Sequence, residues 1–192
     1  MKEFFAGIGV LITFISYVPY FRDIFAGRTK PHAFTWFIWS TLTGIAFFAQ
    51  LADGGGVGAI ILGLTAIISL TIFIAALKVG RRNIARVDWL FLMAALFSLV
   101  LWAITDDPVW SVILITVVDA VAFAPTFRKA YLDPSTETLS TYTLSSIKFV
   151  CAIAALEAYS TTTVLYPASL VIMNGIFVLM LMRRRTSFIK IT

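Results

Sequence analysis

The sequence predicts an all-α transmembrane protein whose seven helices form a 3+1+3 arrangement, two parallel three-helix bundles joined by a linker helix. Three observations carry that expectation. Apolar residues make up 60% of the 192 positions and charged residues 13%, with a mean hydropathy of +0.94, too apolar for a water-soluble domain to cover its own surface. Seven apolar stretches each approach the roughly 20 residues that cross about 30 Å of hydrocarbon as a helix. Finally, a proline, a phenylalanine and an arginine recur in the same order 106 positions apart, in PYFRDIF (19–25) and PTFRKAY (125–131).

The stretches run over 4–21, 33–52, 57–78, 88–105, 109–127, 139–158 and 162–182. The breaks between them carry turn and charge chemistry: RDIFAGRTKPH, ADGGG, KVGRRNIARVD, TDDP, RKAYLDPSTET and EAYSTTT. This organisation divides the chain into a first bundle (1–80), a linker helix that is span 4 (81–107), and a second bundle with a basic cytoplasmic tail (108–192). The N-terminal MKEFFAGIGVLITFISYVPY has a lysine before an apolar run, as a signal peptide does. It offers no small-x-small cleavage site and holds the first copy of the motif, so it is expected to remain as a true span. Gly54-Gly55-Gly56 has no strand-to-helix context and reads as a flexible turn, not a phosphate loop.

Charge sets the expected orientation. Thirteen of the fifteen basic residues fall on alternate connections: Arg22, Arg28 and Lys30; Lys78, Arg81, Arg82 and Arg86; Arg128 and Lys129; and Arg183, Arg184, Arg185 and Lys190. The opposite side carries Lys2 with Asp53, Asp106, Asp107 and Glu157. The N-terminus is therefore expected outside and the C-terminus in the cytoplasm. The net charge of +5 lies in these clusters and not along one face, so no nucleic-acid partner is expected. The lone Cys151 lies in an apolar run, which excludes an intrachain disulfide and a thiolate cluster. The single histidine, His32, reads as an interfacial side chain. With no Ser/His or paired-Asp constellation, the chain is not expected to be an enzyme.

Sliding the chain by 106 aligns 19–52 with 125–158 without a gap and gives eight identities in 34 positions, among them Thr35/Thr141, Ser40/Ser146 and Ala46/Ala152. Spans 1–3 then fall on spans 5–7 with the same orientation, because three spans plus one linker restore the starting side. Repeats related by an axis along the membrane normal place a solute site between them. Pro19 and Pro125, near the cytoplasmic ends of spans 1 and 5, each free a carbonyl one turn earlier and bend the helix, a paired hinge or gate. The plainer reading is that each proline ends its helix.

With its 3+1+3 plan and a proline closing spans 1 and 5, the chain resembles the PQ-loop superfamily, which includes the SWEET and SemiSWEET sugar carriers, cystinosin-like exporters and the KDEL receptors. The resemblance covers nearly the whole chain. The family's proline–glutamine pair stands here as Pro19-Tyr20 and Pro125-Thr126, with both glutamines replaced. The resemblance implies alternating access around a central site, with asparagines in spans 3 and 7; Asn174 in VIMNGIF is the span 7 candidate, and its 106-residue partner is Ile68, beside Ser69.

Hydrocarbon penalises charge, so Asp119 and Lys148, each near the middle of its span, should face the bundle interior or each other. On successive antiparallel helices they are expected to pair, and protonation of Asp119 would release Lys148, a route to proton coupling. The pair also has a reading as a staple between spans 5 and 6. Its repeat equivalents are Thr13 and Leu42, so the charge is confined to one repeat. The five tryptophans, Trp36, Trp39, Trp89, Trp102 and Trp110, lie near span ends and are expected to anchor at headgroups. Phe14 and Phe149 are the midplane candidates for stacking on a solute.

These readings converge on a transporter of a small polar solute, a sugar, amino acid or similar, in the cytoplasmic (inner) membrane of a prokaryote. It needs no cofactor or metal, and both repeats lie in one chain, although a homo-oligomer is compatible with the plan. Asp119, Lys148, Asn174, Thr13 and Ser69 are the expected binding residues. Two other classes share the plan: a receptor or sorting protein that binds without transport, and, less well matched, a retinal-type photoreceptor with Lys148 as the Schiff-base lysine.

Overall fold

The computed structural model describes residues 1–27, 31, 33–79, 86–132, 134 and 137–189. The expectations at His32, Arg28, Lys30, Arg81, Arg82 and Lys190 lie outside these residues. The described chain forms seven α-helices: α1 (Lys2–Phe25), α2 (Ala33–Ala52), α3 (Ile60–Val79), α4 (Arg86–Thr105), α5 (Pro108–Leu132), α6 (Leu139–Ala154) and α7 (Thr161–Ile189), with a short 3-10 turn at Gly56–Ala59 before α3. Five segments, Lys2–Phe25, Thr35–Ala52, Gly56–Lys78, Pro108–Leu132 and Thr161–Thr186, are long and apolar enough to cross a membrane; Leu92–Thr105 and Leu139–Ala154 are apolar but shorter.

The helix ends follow from local chemistry. After α2, Gly54 takes φ +72°, the Gly55 amide donates to the Gln50 carbonyl at 2.7 Å, and the Gly54 amide donates to Leu51. That is a Schellman stop, which only glycine reaches without strain. Asp107 accepts from the Val109 amide at 2.9 Å and Pro108 occupies the first helical position, an N-cap followed by N1 proline that starts α5. Ser160 caps α7 reciprocally with Thr163: each backbone amide donates to the other's hydroxyl, at 3.0 and 3.2 Å. Two expectations shift. α6 ends at Ala154, four residues before the apolar stretch does, and Arg183–Arg185 form the last turns of α7 and not a tail. There Arg185 donates to the Glu137 carbonyl at 2.6 Å and to that of Pro134 at 3.1 Å, tying α7 to the α5–α6 connection.

Polarity runs inside out relative to a soluble domain. Leu11, Val18, Ile67, Ile74, Val117 and Val121 are exposed, while Thr13, Ser16, Gln50, Thr65, Ser69 and Lys148 are buried. Apolar surface on this scale, around a polar interior, is compatible with an integral membrane protein.

Helix adjacency is not the chain order. α3 packs on both α1 and α2, whose backbones are not adjacent among the described residues although Trp36 of α2 reaches Tyr17 and Tyr20 of α1; likewise α7 packs on both α5 and α6, which meet through side chains such as Phe123 and Tyr142 and not along their backbones. Between the two sets, α1 lies on α6 and α2 lies on α5, and α4 covers α5 and α2. Burial repeats with the contacts. Across 61–76 and 166–181, an offset of 105, buried, half-buried and exposed positions follow the same order except at Leu70/Gly175. The offset drops from 106 to 105 because the connection before α7 is one residue shorter than that before α3.

One side-chain bond is made twice. Ser40 in α2 donates to the Ala66 carbonyl in α3, and Ser146 in α6 donates to the Val171 carbonyl in α7, both at 3.0 Å. The donors are 106 apart and the acceptors 105, so these are the same bond in two repeats. Ser40→Ala and Ser146→Ala are each expected to cost about 0.5–1.5 kcal/mol, and the double substitution their sum. Unfolding midpoints in detergent measure this; a cost at one serine alone would show that the repeats are not energetically equivalent.

Candidate functional site

A cavity of about 80 Å³ lies where α1–α3 meet α5–α7, and both sets line it. Many of its wall positions come in repeat pairs: Tyr17 with Phe123, Trp36 with Tyr142, Trp39 with Ser145, Thr43 with Phe149, Thr65 with Leu170 and Ser69 with Asn174. The corrected offset makes Ser69, not Ile68, the partner of Asn174. Ser69 lies beside the Tyr17 hydroxyl. Asn174 donates to the Leu170 carbonyl one turn back at 2.7 Å while bordering the cavity.

Asp119 stands on the cavity wall at 5% exposure. It makes no hydrogen bond or ion pair among the described residues. Lys148 is fully buried, but its ammonium donates to the hydroxyls of Tyr17 at 3.2 Å and Thr65 at 3.1 Å. It also sits 4.5 Å from the Tyr17 ring centroid and 4.7 Å from that of Phe149, a cation held by aromatic faces. The expected Asp119–Lys148 pair is therefore not formed, and proton coupling by release of that pair has no pair to release. The reason is topological. Spans 5 and 6 succeed each other in sequence, but α7 lies between them, so the α6 face bearing Lys148 meets α1 and α3.

Other expected residues divide. Thr13 is buried, but its hydroxyl is spent on the Gly9 carbonyl at 2.7 Å and it does not line the cavity. Phe14 is 52% exposed and faces outward, whereas Phe149 borders the cavity. Pro19 and Pro125 lie inside α1 and α5, which continue to Phe25 and Leu132, so neither proline ends its helix. Trp36 is not a headgroup anchor: it is buried, donates to the Tyr20 hydroxyl at 3.2 Å and packs edge-on to Trp39 at 5.1 Å. Trp39 in turn packs on Phe123 across the interface at 6.0 Å. Position near a span end suggested an anchor; the repeat pairing Trp36/Tyr142, two aromatic residues on equivalent helices, was the available sign of an inward face.

Sequence reasoning missed the seal at the acidic-loop end. Gln50 of α2 donates to the Thr163 carbonyl of α7 at 2.6 Å. The Ser160 hydroxyl bonds the Asp53 carboxylate, the Glu157 amide donates to the Gly55 carbonyl at 3.2 Å, and Lys2 donates to the Glu157 carbonyl at 2.9 Å. The glycine turn is thus docked against the α6–α7 connection. The cavity reaches the other way, past Trp36 and Tyr142 to Tyr20 and Thr141 near the basic connections. The chain matches no family model, no curated protein and no solved structure, so this site is read from its own geometry.

Proposed function

We propose that the chain is a membrane transporter of a small polar solute, working by alternating access between two three-helix units, α1–α3 and α5–α7, with α4 as the linker that gives both the same orientation. In this reading all seven helices cross the bilayer, the N-terminus lies outside and the C-terminus in the cytoplasm, and the chain is a PQ-loop-type carrier. One observation carries it: the cavity sits on the interface between the repeats and is walled by equivalent positions of both, the geometry in which rocking of one repeat against the other opens a site to alternate sides. The bonded acidic end and the cavity reaching toward the basic connections support an inward-facing state. Lys148 ties α6 to α1 and α3 along one seam, where the opposite seam has the apolar Leu42. Breaking and remaking those hydrogen bonds, made by an ammonium to uncharged hydroxyls, accompanies the rocking.

Counterflow in proteoliposomes tests this. A solute that stabilises the purified protein is expected to exchange across the vesicle membrane, and Lys148→Met to lower that exchange at least tenfold. Because the ammonium has only neutral acceptors, its removal orphans no charge, and the substitution is expected to shift folding stability by less than about 1 kcal/mol. Binding without counterflow would identify a receptor-type protein instead. Parent-level exchange in Lys148→Met would reduce Lys148 to packing.

A further inference from the structure

We propose that the solute is an organic cation, recognised by the Asp119 carboxylate inside an aromatic-walled pocket. The transport reading supplies the route for that solute; the binding site stands on separate observations.

The first is the state of Asp119. It is 5% exposed, on the cavity wall, and without a hydrogen bond or ion pair among the described residues. A carboxylate removed from water needs a counter-charge or donors, and here the space in front of it is the solute cavity. The second is the sequestration of the other buried charge. Lys148 does not line the cavity; its ammonium is engaged by the Tyr17 and Thr65 hydroxyls and flanked by the Tyr17 and Phe149 rings. The ionisable group presented to a solute is therefore the Asp119 carboxyl and not the Lys148 ammonium.

The third is the wall itself. Trp36, Trp39, Phe123, Tyr142 and Phe149 all border the space, and Phe123 lies one turn beyond Asp119 on the same face of α5. Aromatic rings gathered around an acidic group attract ammonium groups, quaternary ones included, through their negative faces. A polyhydroxylated solute finds fewer donors here than the count of polar wall residues suggests, because three of them are engaged within their own helices, although the Thr141 hydroxyl has no partner among the described residues. Thr43 donates to the Trp39 carbonyl at 2.7 Å, Thr65 to that of Ile61 at 2.7 Å, and Asn174 to that of Leu170 at 2.7 Å.

The test is binding to the purified full chain by calorimetry, with choline, putrescine and agmatine as cations. The controls are 3,3-dimethylbutan-1-ol as the neutral isostere of choline, glycine betaine as a zwitterion with the same head, and glucose. At least one cation is expected to bind saturably, at least tenfold tighter than the isostere, betaine or glucose. Asp119→Asn should weaken it at least tenfold, Asp119→Glu should restore part of the affinity, and Phe123→Leu should weaken it several-fold. The proposal is overturned if no cation binds, if betaine or a neutral probe binds as tightly, or if Asp119→Asn leaves cation affinity unchanged. Cation binding without counterflow would sink the transport reading and keep this one; glucose counterflow indifferent to Asp119→Asn would do the reverse.

Discussion

Replacing Gln50 with leucine is expected to destabilise the protein by about 1–3 kcal/mol, the cost of leaving a buried carbonyl without its donor. The carbonyl is that of Thr163. In a regular helix it would accept from the amide four residues on, but that residue is Pro167, inside α7, which has no N–H to give. Gln50, 1% exposed, supplies the missing donor from the other repeat at 2.6 Å. Position 62, the repeat equivalent of Pro167, is leucine, so the defect and its repair occur once. This makes the interaction testable as a cycle. In a Pro167→Leu background the backbone amide returns to Thr163, and Gln50→Leu should then cost close to nothing, giving a coupling of about 1–3 kcal/mol between two residues 117 positions apart. Chemical denaturation of the four proteins in detergent measures it. Additive costs would mean that Gln50 acts through packing and not through the carbonyl.

Gln50 also marks the limit of what was legible in the sequence. The helices were readable because apolar runs, prolines, glycines and aspartates sit where helix ends require them. The repeat was readable over α1–α2 and α5–α6 because the offset of 106 holds there without a gap. It blurred at α3 and α7, where one residue fewer in the second connection moves the register to 105 and hid the pairing of Ser69 with Asn174. Asp119, Lys148 and Asn174 were legible as polar residues set inside apolar runs, where such residues are rare and face an interior. Their partners were not. Adjacency in sequence suggested that spans 5 and 6 pack along each other, whereas each packs its backbone on α7 instead, and a donor–acceptor match such as Gln50 with Thr163 depends on which face meets which helix. Trp36 and Phe14 failed for the same reason: depth along a span is readable from sequence, while direction around it rests on packing that apolar helices with little amphipathicity do not encode.

Gly58 is the second position where a single atom should decide the outcome. A Cβ there would meet the Leu156 amide nitrogen at 2.8 Å, the Ala152 carbonyl oxygen at 2.9 Å and the Ala155 carbonyl carbon at 3.0 Å. All three are backbone atoms at the end of α6, which cannot rotate away as a side chain tip does. The 3-10 turn before α3 therefore lies against the other repeat with room for hydrogen only, and Gly58→Ala must push the two apart, at a cost of about 1–3 kcal/mol. Gly44, in the middle of α2, meets nothing within 4 Å, so Gly44→Ala should be neutral or stabilise by up to about 1 kcal/mol. The contrast separates a packing effect from a general intolerance of substitution. The displacement can be read directly in a Cys151→Ala background with cysteines at positions 53 and 160, where the Asp53 carboxylate and the Ser160 hydroxyl are in contact. Cross-linking by a short bifunctional reagent is expected to be efficient with Gly58 and several-fold lower with Gly58→Leu. If the acidic end closes once per transport cycle, Gly58→Leu should also bind solute at equilibrium yet lose exchange, because the repeats can no longer meet on that side. Unchanged cross-linking in Gly58→Leu would show that the contact is not what holds this end shut.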